Sequence, residues 1–466
     1  MNEGFDGRVR KAEAGFNLAL SQLPERSMLH GTVTEGVDVM HCERLSTERI
    51  AESAIALVIL LGLSVVAQAQ TYTVLHEFTG GQDGAAPRAG VTLDQGGNLY
   101  GTTSAGGYTG GRCTVGRLNG CGTVFKLGHT NSGWVLNPLY TFMGQYGDGA
   151  SPFARVIFGP DGTLYGTTAF GGPADSDCFA VGCGTVFNLK PPATACKTAL
   201  CPWTETVLYF FQLNLNLGGN PWLGDLLFDH SGNVYGTTWD SAQGDGEIFE
   251  LLASSGGWTY NTLYQFPVGY RQGGDPNAGV ISDGTGDLYG TAMVGPHYAG
   301  IVYRLSPSGS GWSSQILYAF QGGSDGANPA GGLVFDQSGN LYGTTLSKGA
   351  GGGGTVYELS PSDGGWVLTT LHSFSGTDGS YAVLTMDASG NLYGTTFGDG
   401  AYGYGNVFKL TNSNGSWSYT SLYDFTGATD GGQPYGQVAL DASGNLYGTA
   451  SAGGTNGQGV VWEITP

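Results

Sequence analysis

The 466-residue sequence is short of charge, and above all of positive charge. Lys and Arg total 17 against 37 Asp and Glu, a formal charge of −20 at pH 7. Nucleic-acid binding needs clustered cations to displace counterions, so that partner is excluded. No apolar run approaches the roughly 20 residues of a membrane helix. The one long run, residues 54–66, stops at 13. There is no H-E-x-x-H and no P-loop, which removes the zincin and nucleotide-phosphate signatures. Cysteine is scarce, at seven residues, and none forms the C-x-x-C of a zinc knuckle. Beyond residue 69 only five histidines remain, at 76, 129, 230, 297 and 372.

Glycine is abundant instead, at 85 residues. It follows no three-residue period, so collagen is excluded. Hydrophobic residues at 40 % and aromatics at 12 % argue against disorder. The glycines belong to a repeat. The phrase N-L-Y-G-T or a close variant occurs seven times, with its tyrosine at 100, 165, 235, 289, 342, 393 and 447. Four strand-like segments surround each copy. Segment a is apolar and ends in Asp, as in residues 332–336. Segment b is the phrase itself. Segment c follows the pattern G-T-V-Y-E-L, and segment d runs from Trp to L-Y-x-F. The Asp-x-x-Gly-Asn between a and b reads as a tight hairpin turn. The glycine inside b, at 101, 166, 236, 290, 343, 394 and 448, implies close approach of a backbone or ring.

Four short strands repeated seven times predict an all-β fold, a seven-bladed β-propeller of four-stranded antiparallel blades. Segments a, b and c appear seven times. Segment d appears six times internally, at Trp134, Trp203, Trp258, Trp312, Trp366 and Trp417. Residues 74–78, VLHEF, supply the missing L-Y-x-F at the other end. The first strand is therefore expected to complete the last blade and hide an open edge.

The 54–66 run is followed by Ala67-Gln68-Ala69, an A-x-A cleavage pattern, and preceded by Arg44 and Arg49. This reads as a secretory signal peptide over 40–69, cut after Ala69. Residues 1–39 lie too far upstream to belong to it and read as a gene-start extension, with Met40 as the true start. The propeller then occupies 70–466, with 11 Lys and Arg against 28 Asp and Glu. A secreted or periplasmic monomer follows, with no membrane span after cleavage. Its six remaining cysteines fall in close pairs, Cys113/Cys121, Cys178/Cys183 and Cys196/Cys201, and proximity favours these as disulfides.

The phrases N-L-Y-G-T-T, G-T-V-F-K-L and L-Y-x-F resemble the Gloeo/Verruco tandem repeat of secreted bacterial proteins. The likeness covers residues 70–466 and implies an extracellular or surface location, with no activity to carry over. The D-x-x-G-N-L-Y hairpin also resembles the NHL-type propeller repeat.

Alternating strands place the d–a and b–c loops on one face. That face carries the long insertions of the first two blades, where binding residues usually gather. The repeated turn acids Asp94, Asp229, Asp336, Asp387 and Asp441 read as structural. The D-G-x-x-P loops at Asp83, Asp148 and Asp325 read as turns, with Ca²⁺ as the rival; no other cofactor or metal is expected. Informative positions break the repeat. Four residues before the turn slot the blades read Gly90, Arg155, Asp225, Gly279, Gly332, Val383 and Gln437. Arg155 and Asp225 are placed to meet in the channel, as a structural ion pair or a ligand anchor. Two residues earlier the rim reads Arg88, Phe153, Leu223, Asn277, Ala330, Tyr381 and Tyr435, with Trp222 alongside. Such a set suits stacking on a sugar or peptide, and equally ordinary packing. No catalytic residue is assigned. The leading expectation is a binding propeller for a glycan, peptide or cell-surface partner; the alternatives are an extracellular hydrolase or lyase and a structural surface protein.

Overall fold

Each N-L-Y-G-T phrase forms the second strand of a four-stranded antiparallel sheet. The computed structural model describes residues 70–110, 113–115, 118–145, 147–174, 178, 181–193, 202–213, 218–241, 244–269, 271–309, 311–375, 381 and 383–466. The expected extension and leader, 1–69, lie outside the described residues. In blade 1 the order from the channel outward is Thr92–Leu93, Leu99–Thr103, Thr123–Thr130 and Gly133–Thr141. Seven such sheets form the seven-bladed β-propeller, and no α-helix occurs among the described residues. Tiny ribbons such as Gly149–Ala150 with Phe170–Gly171 decorate the loops.

The ring closes as the repeat count demands. Thr71–Glu77 pairs antiparallel with Val460–Thr465, setting Tyr72 opposite Ile464 and Val74 opposite Trp462. Tyr72 stacks on Tyr423 of blade 6 with ring centroids 3.8 Å apart. Phe78, fully buried, joins Val461 of the last blade to Val91, Leu99 and Phe125 of the first.

Two features of the phrase explain its repetition. The strand glycine faces an aromatic on segment c in every blade, from Gly101 opposite Phe125 to Gly448 opposite Trp462. A Cβ at Gly448 would sit 2.3 Å from the Trp462 ring, so the ring lies where a side chain would be. The threonine after it reaches the next blade. Thr102 donates to the Ala154 carbonyl at 3.0 Å, Thr237 to Ala278 at 3.0 Å, Thr291 to Gly331 at 3.0 Å and Thr395 to Gly436 at 3.2 Å. Thr449 donates to Ala89 at 2.6 Å and so latches blade 7 to blade 1. Thr167 differs: its buried hydroxyl has no hydrogen-bond partner among the described residues. Its target strand, in blade 3, carries one extra residue, with Pro221 eight positions before Asp229 where Pro87 stands seven before Asp94.

The turn acids are structural, as expected. Asp336 accepts from the Ser338 and Asn340 amides at 2.8 and 2.9 Å, from the Asn340 side chain at 2.8 Å and from the Tyr342 hydroxyl at 3.2 Å. The D-G-x-x-P acids likewise hold turns. Asp325 accepts from the Gln321 and Gly323 amides and from the Tyr318 hydroxyl. No cluster of three or more His, Cys, Asp or Glu side chains among the described residues is placed to hold a metal.

Cys113–Cys121 and Cys178–Cys183 are disulfide-bonded and pin the b–c loops of blades 1 and 2. Cys196 and Cys201 fall outside the described residues. The two bridges span only eight and five positions. Loops this short constrain the unfolded chain by only about 2–2.5 kcal/mol each. Reduction should lower the thermal midpoint by only about a few degrees. Cooperative unfolding lost on adding reductant at 25 °C would show instead that the blades depend on the bridges.

Candidate functional site

The d–a loops build the mouth of the channel. In six blades the residue before the loop proline sits at positive φ: Ala86, Ser151, Asn220, Asp275, Asn328 and Gln433. Each donates its amide to a b–c loop carbonyl of the preceding blade, as Ala86 does to Gln458 at 2.8 Å and Gln433 to Tyr404 at 2.7 Å. These bonds fix the two rim positions that follow.

Arg155 and Asp225 meet as the sequence suggests. The Asp225 carboxylate accepts from the Arg155 amide at 3.0 Å and Nε at 3.0 Å, with a terminal amine 2.9 Å away. The pair bridges blades 2 and 3 at a constriction. Above it lies a hollow lined by Arg88, Phe153, Tyr381 and Tyr435. Below it the channel widens into a cavity of about 320 Å³, walled by Val280, Ile281, Leu333, Val334, Val383 and Leu384 among others. Arg155, Asp225, Val383 and Gln437 line both. Gln437 is tied back, its amide donating to the Leu384 carbonyl at 3.2 Å.

The rim aromatics form an arc across five blades. Trp239 lies 5.9 Å from Trp222, and Trp222 lies 4.4 Å from Phe153. The Arg88 guanidinium then bridges Phe153, at 5.1 Å, to Tyr435, at 5.3 Å. Tyr435 contacts Phe397 at 4.6 Å and Tyr381 at 5.1 Å. Phe153 is 2 % exposed, covered by its neighbours, whereas Trp239 is 44 % exposed. Asn277 shares the rim slot but does not join the arc. It is buried, lines neither cavity, and donates to the Ala330 carbonyl at 3.3 Å. Its place in the rim pattern thus reports a tie between blades 4 and 5.

Trp239 and Phe397 were not legible as rim residues because they follow segment b rather than precede segment a. A signal existed. The position after the second threonine of the phrase reads Ser104, Ala169, Trp239, Met293, Leu346, Phe397 and Ser451, and two blades break it with aromatics.

The mouth holds little acid–base equipment. Asp225 is the one carboxylate lining either hollow among the described residues, and Arg155 neutralises it. His297 is exposed in the blade 4 b–c turn at φ 64° and lines neither hollow. His76 contacts Asp83 at 3.2 Å and His372 stacks on Tyr419 at 4.0 Å, both within blade packing. His129 packs on Trp134, and His230 lines a hollow on the opposite face. Residues 322–326 spell G-x-S-x-G, but Ser324 is exposed in a repeated d–a turn with no helix after it, unlike a nucleophile elbow.

No curated protein matches the chain. Among solved structures it is similar to a gluconolactonase from Xanthomonas campestris, at 16 % identity over 66 % of this chain and 84 % of that one, TM-score 0.37. It is similar to Trypanosoma rangeli sialidase at 12 % identity over 85 % and 59 %, TM-score 0.43. The GH93 α-L-arabinofuranosidase of Fusarium graminearum is 12 % identical over 82 % and 92 %, TM-score 0.39. Likeness of this depth transfers no activity. The Gloeobacter/Verrucomicrobia repeat, in contrast, matches residues 112–334, 176–381 and 286–466, which together take in most of the sequence. The chain belongs to the Gloeobacter/Verrucomicrobia repeat family.

Proposed function

We propose that this chain is a secreted, non-enzymatic propeller that binds a glycan on the face carrying the d–a and b–c loops. The aromatic arc carries the reading. Six aromatic side chains from Trp239 to Tyr381, with Arg88 between Phe153 and Tyr435, surround the mouth, and those other than the covered Phe153 have ring faces that suit the apolar faces of sugars. Arg88, Arg155 and Asp225 add polar groups for hydroxyls. A lone, neutralised carboxylate supports binding over the paired acids of glycoside cleavage. The A-x-A leader pattern and the two disulfides support export to an oxidising compartment.

A glycan-array screen of residues 70–466 tests the reading. At least one glycan class should bind, and Trp239→Ala and Tyr435→Ala should each weaken it about tenfold, the equivalent of one ring contact. Unchanged affinity in both variants would remove the arc from recognition. Cleavage of a bound glycan during incubation would replace this reading with that of an extracellular hydrolase or lyase.

A further inference from the structure

We infer that the glycan is acidic, with a sugar-ring carboxylate received by Arg88; this rests on the glycan reading above. Among the described residues, Arg88 is the one guanidinium of the mouth with no acid beside it. Arg155 is committed to Asp225, whereas Arg88 makes no ion pair and no hydrogen bond with a described residue. Its Nε is buried with no hydrogen-bond partner among the described residues. What it has are rings, Phe153 on the blade 2 side and Tyr435 on the blade 7 side. Contacts with ring faces use the cation's charge but leave its N–H donors unspent.

Arginine in this setting is unusual for this chain. Residues 70–466 hold only 11 Lys and Arg against 28 Asp and Glu, so an unpaired cation is not explained by a shortage of acids to pair it. Locally the balance reverses. The described residues that line the hollow include Arg88, Arg155 and Asp225 as their charged groups, a net charge of +1 in a chain that is otherwise strongly negative. An anion is therefore drawn to this hollow and repelled elsewhere. Aromatic walls on two sides confine the acceptor to the space beyond the guanidinium edge. A flat carboxylate fits that space and meets two parallel N–H donors at once. Uronic acids and sialic acids both present such a group on a ring that can stack along the same arc.

Isothermal titration against four probes separates these cases: trigalacturonate, its methyl ester, 3′-sialyllactose and neutral galactotriose. The expected result is that at least one acidic probe binds about tenfold or more tightly than its uncharged counterpart, with a preference that fades as salt rises. Which acid binds identifies the source of the carboxylate. Arg88→Gln should abolish the preference, so that the acidic probe and its uncharged counterpart bind that variant equally. Arg88→Lys, which keeps the charge and the stem but not the fork, should restore only part of it. A thermal melt of each variant checks that the rim is intact. Equal affinity for acid and uncharged forms, or an acid preference that survives Arg88→Gln, would overturn this inference and leave the glycan reading standing. Binding to none of the probes, together with an empty glycan array, would overturn both.

Discussion

A chain starting at residue 79 should fail to yield a stable monomeric ring. Residues 70–78 supply the outer strand of the last blade, so their loss exposes the ladder edge of Val460–Thr465. It also removes Phe78 from the cluster that joins the last blade to the first. Truncating a buried phenylalanine to alanine alone costs about 3–5 kcal/mol. Adding the strand ladder and the Tyr72–Tyr423 stack brings the loss to the order of a whole domain's stability, about 5–15 kcal/mol. The latch from Thr449 to Ala89 remains, yet it ties the second strand of the last blade to the rim residue ahead of the first strand of blade 1 and leaves the outer edge open. Open edges recruit other chains. Size-exclusion chromatography should show soluble aggregate in place of monomer. A synthetic peptide of residues 70–79 should restore monomer and cooperative melting, and Phe78→Ala should lower stability by about 3–5 kcal/mol without aggregation. A truncated protein that elutes as a monomer with an unchanged melt would show that the ring is held by its other interblade contacts.

That closure was readable because it is arithmetic on the repeat: seven copies of a, b and c, six internal copies of d, and VLHEF at the front. The strand glycine was readable as a close approach, and the structure supplies the partner, an aromatic directly across the ladder. The Arg155–Asp225 pair was readable because adjacent blades broke the same slot with opposite charges. Side-chain direction within a slot was not. Asn277 and Tyr435 occupy equivalent rim positions, yet one is spent on the Ala330 carbonyl and the other lines the mouth. Repeat position fixes where the backbone is, while the neighbour across the blade gap decides where a polar side chain finds its partner. Arg88 shows the same limit: the sequence places it on the rim, and only packing reveals that it stands between two rings with no acid among the described residues paired to it.

Glu247 should make the protein markedly more stable at pH 5 than at pH 8. It occupies the slot that holds Thr123, Thr185 and Thr355 in other blades, where each threonine pairs with a threonine of segment b. The carboxyl is fully buried and accepts from the Gly218 amide at 2.9 Å, from Thr262 at 3.3 Å and from the Tyr260 hydroxyl. No cation faces it among the described residues, and burial lifts its pKa from 4.5 to about 7 despite those donors. Glu205 rises further, to about 8, through burial and the charge of Asp148, with which it shares the Tyr140 hydroxyl. Folded carboxyls with raised pKa hold protons that the unfolded chain has released. Their contribution is complete below about pH 4.5 and drains away as pH rises through about 7 to 8. For Glu247 alone the change is about 3 kcal/mol. Other groups pull the opposite way. Burial would raise the turn acids Asp94, Asp229 and Asp387, but their asparagine and amide donors outweigh it and hold them below 3.8, so their support fails only in stronger acid. Burial also depresses His76 and His372, which costs stability as pH falls below their usual 6.5. Glu247→Gln separates the effects, because the amide mimics the protonated acid at every pH. Chemical denaturation of wild type and variant should agree at pH 5 and diverge at pH 8, with the variant more stable by about 3 kcal/mol. A constant difference across that range would mean that Glu247 is already ionised at pH 5 and that its hydrogen-bond donors, rather than its burial, set its charge.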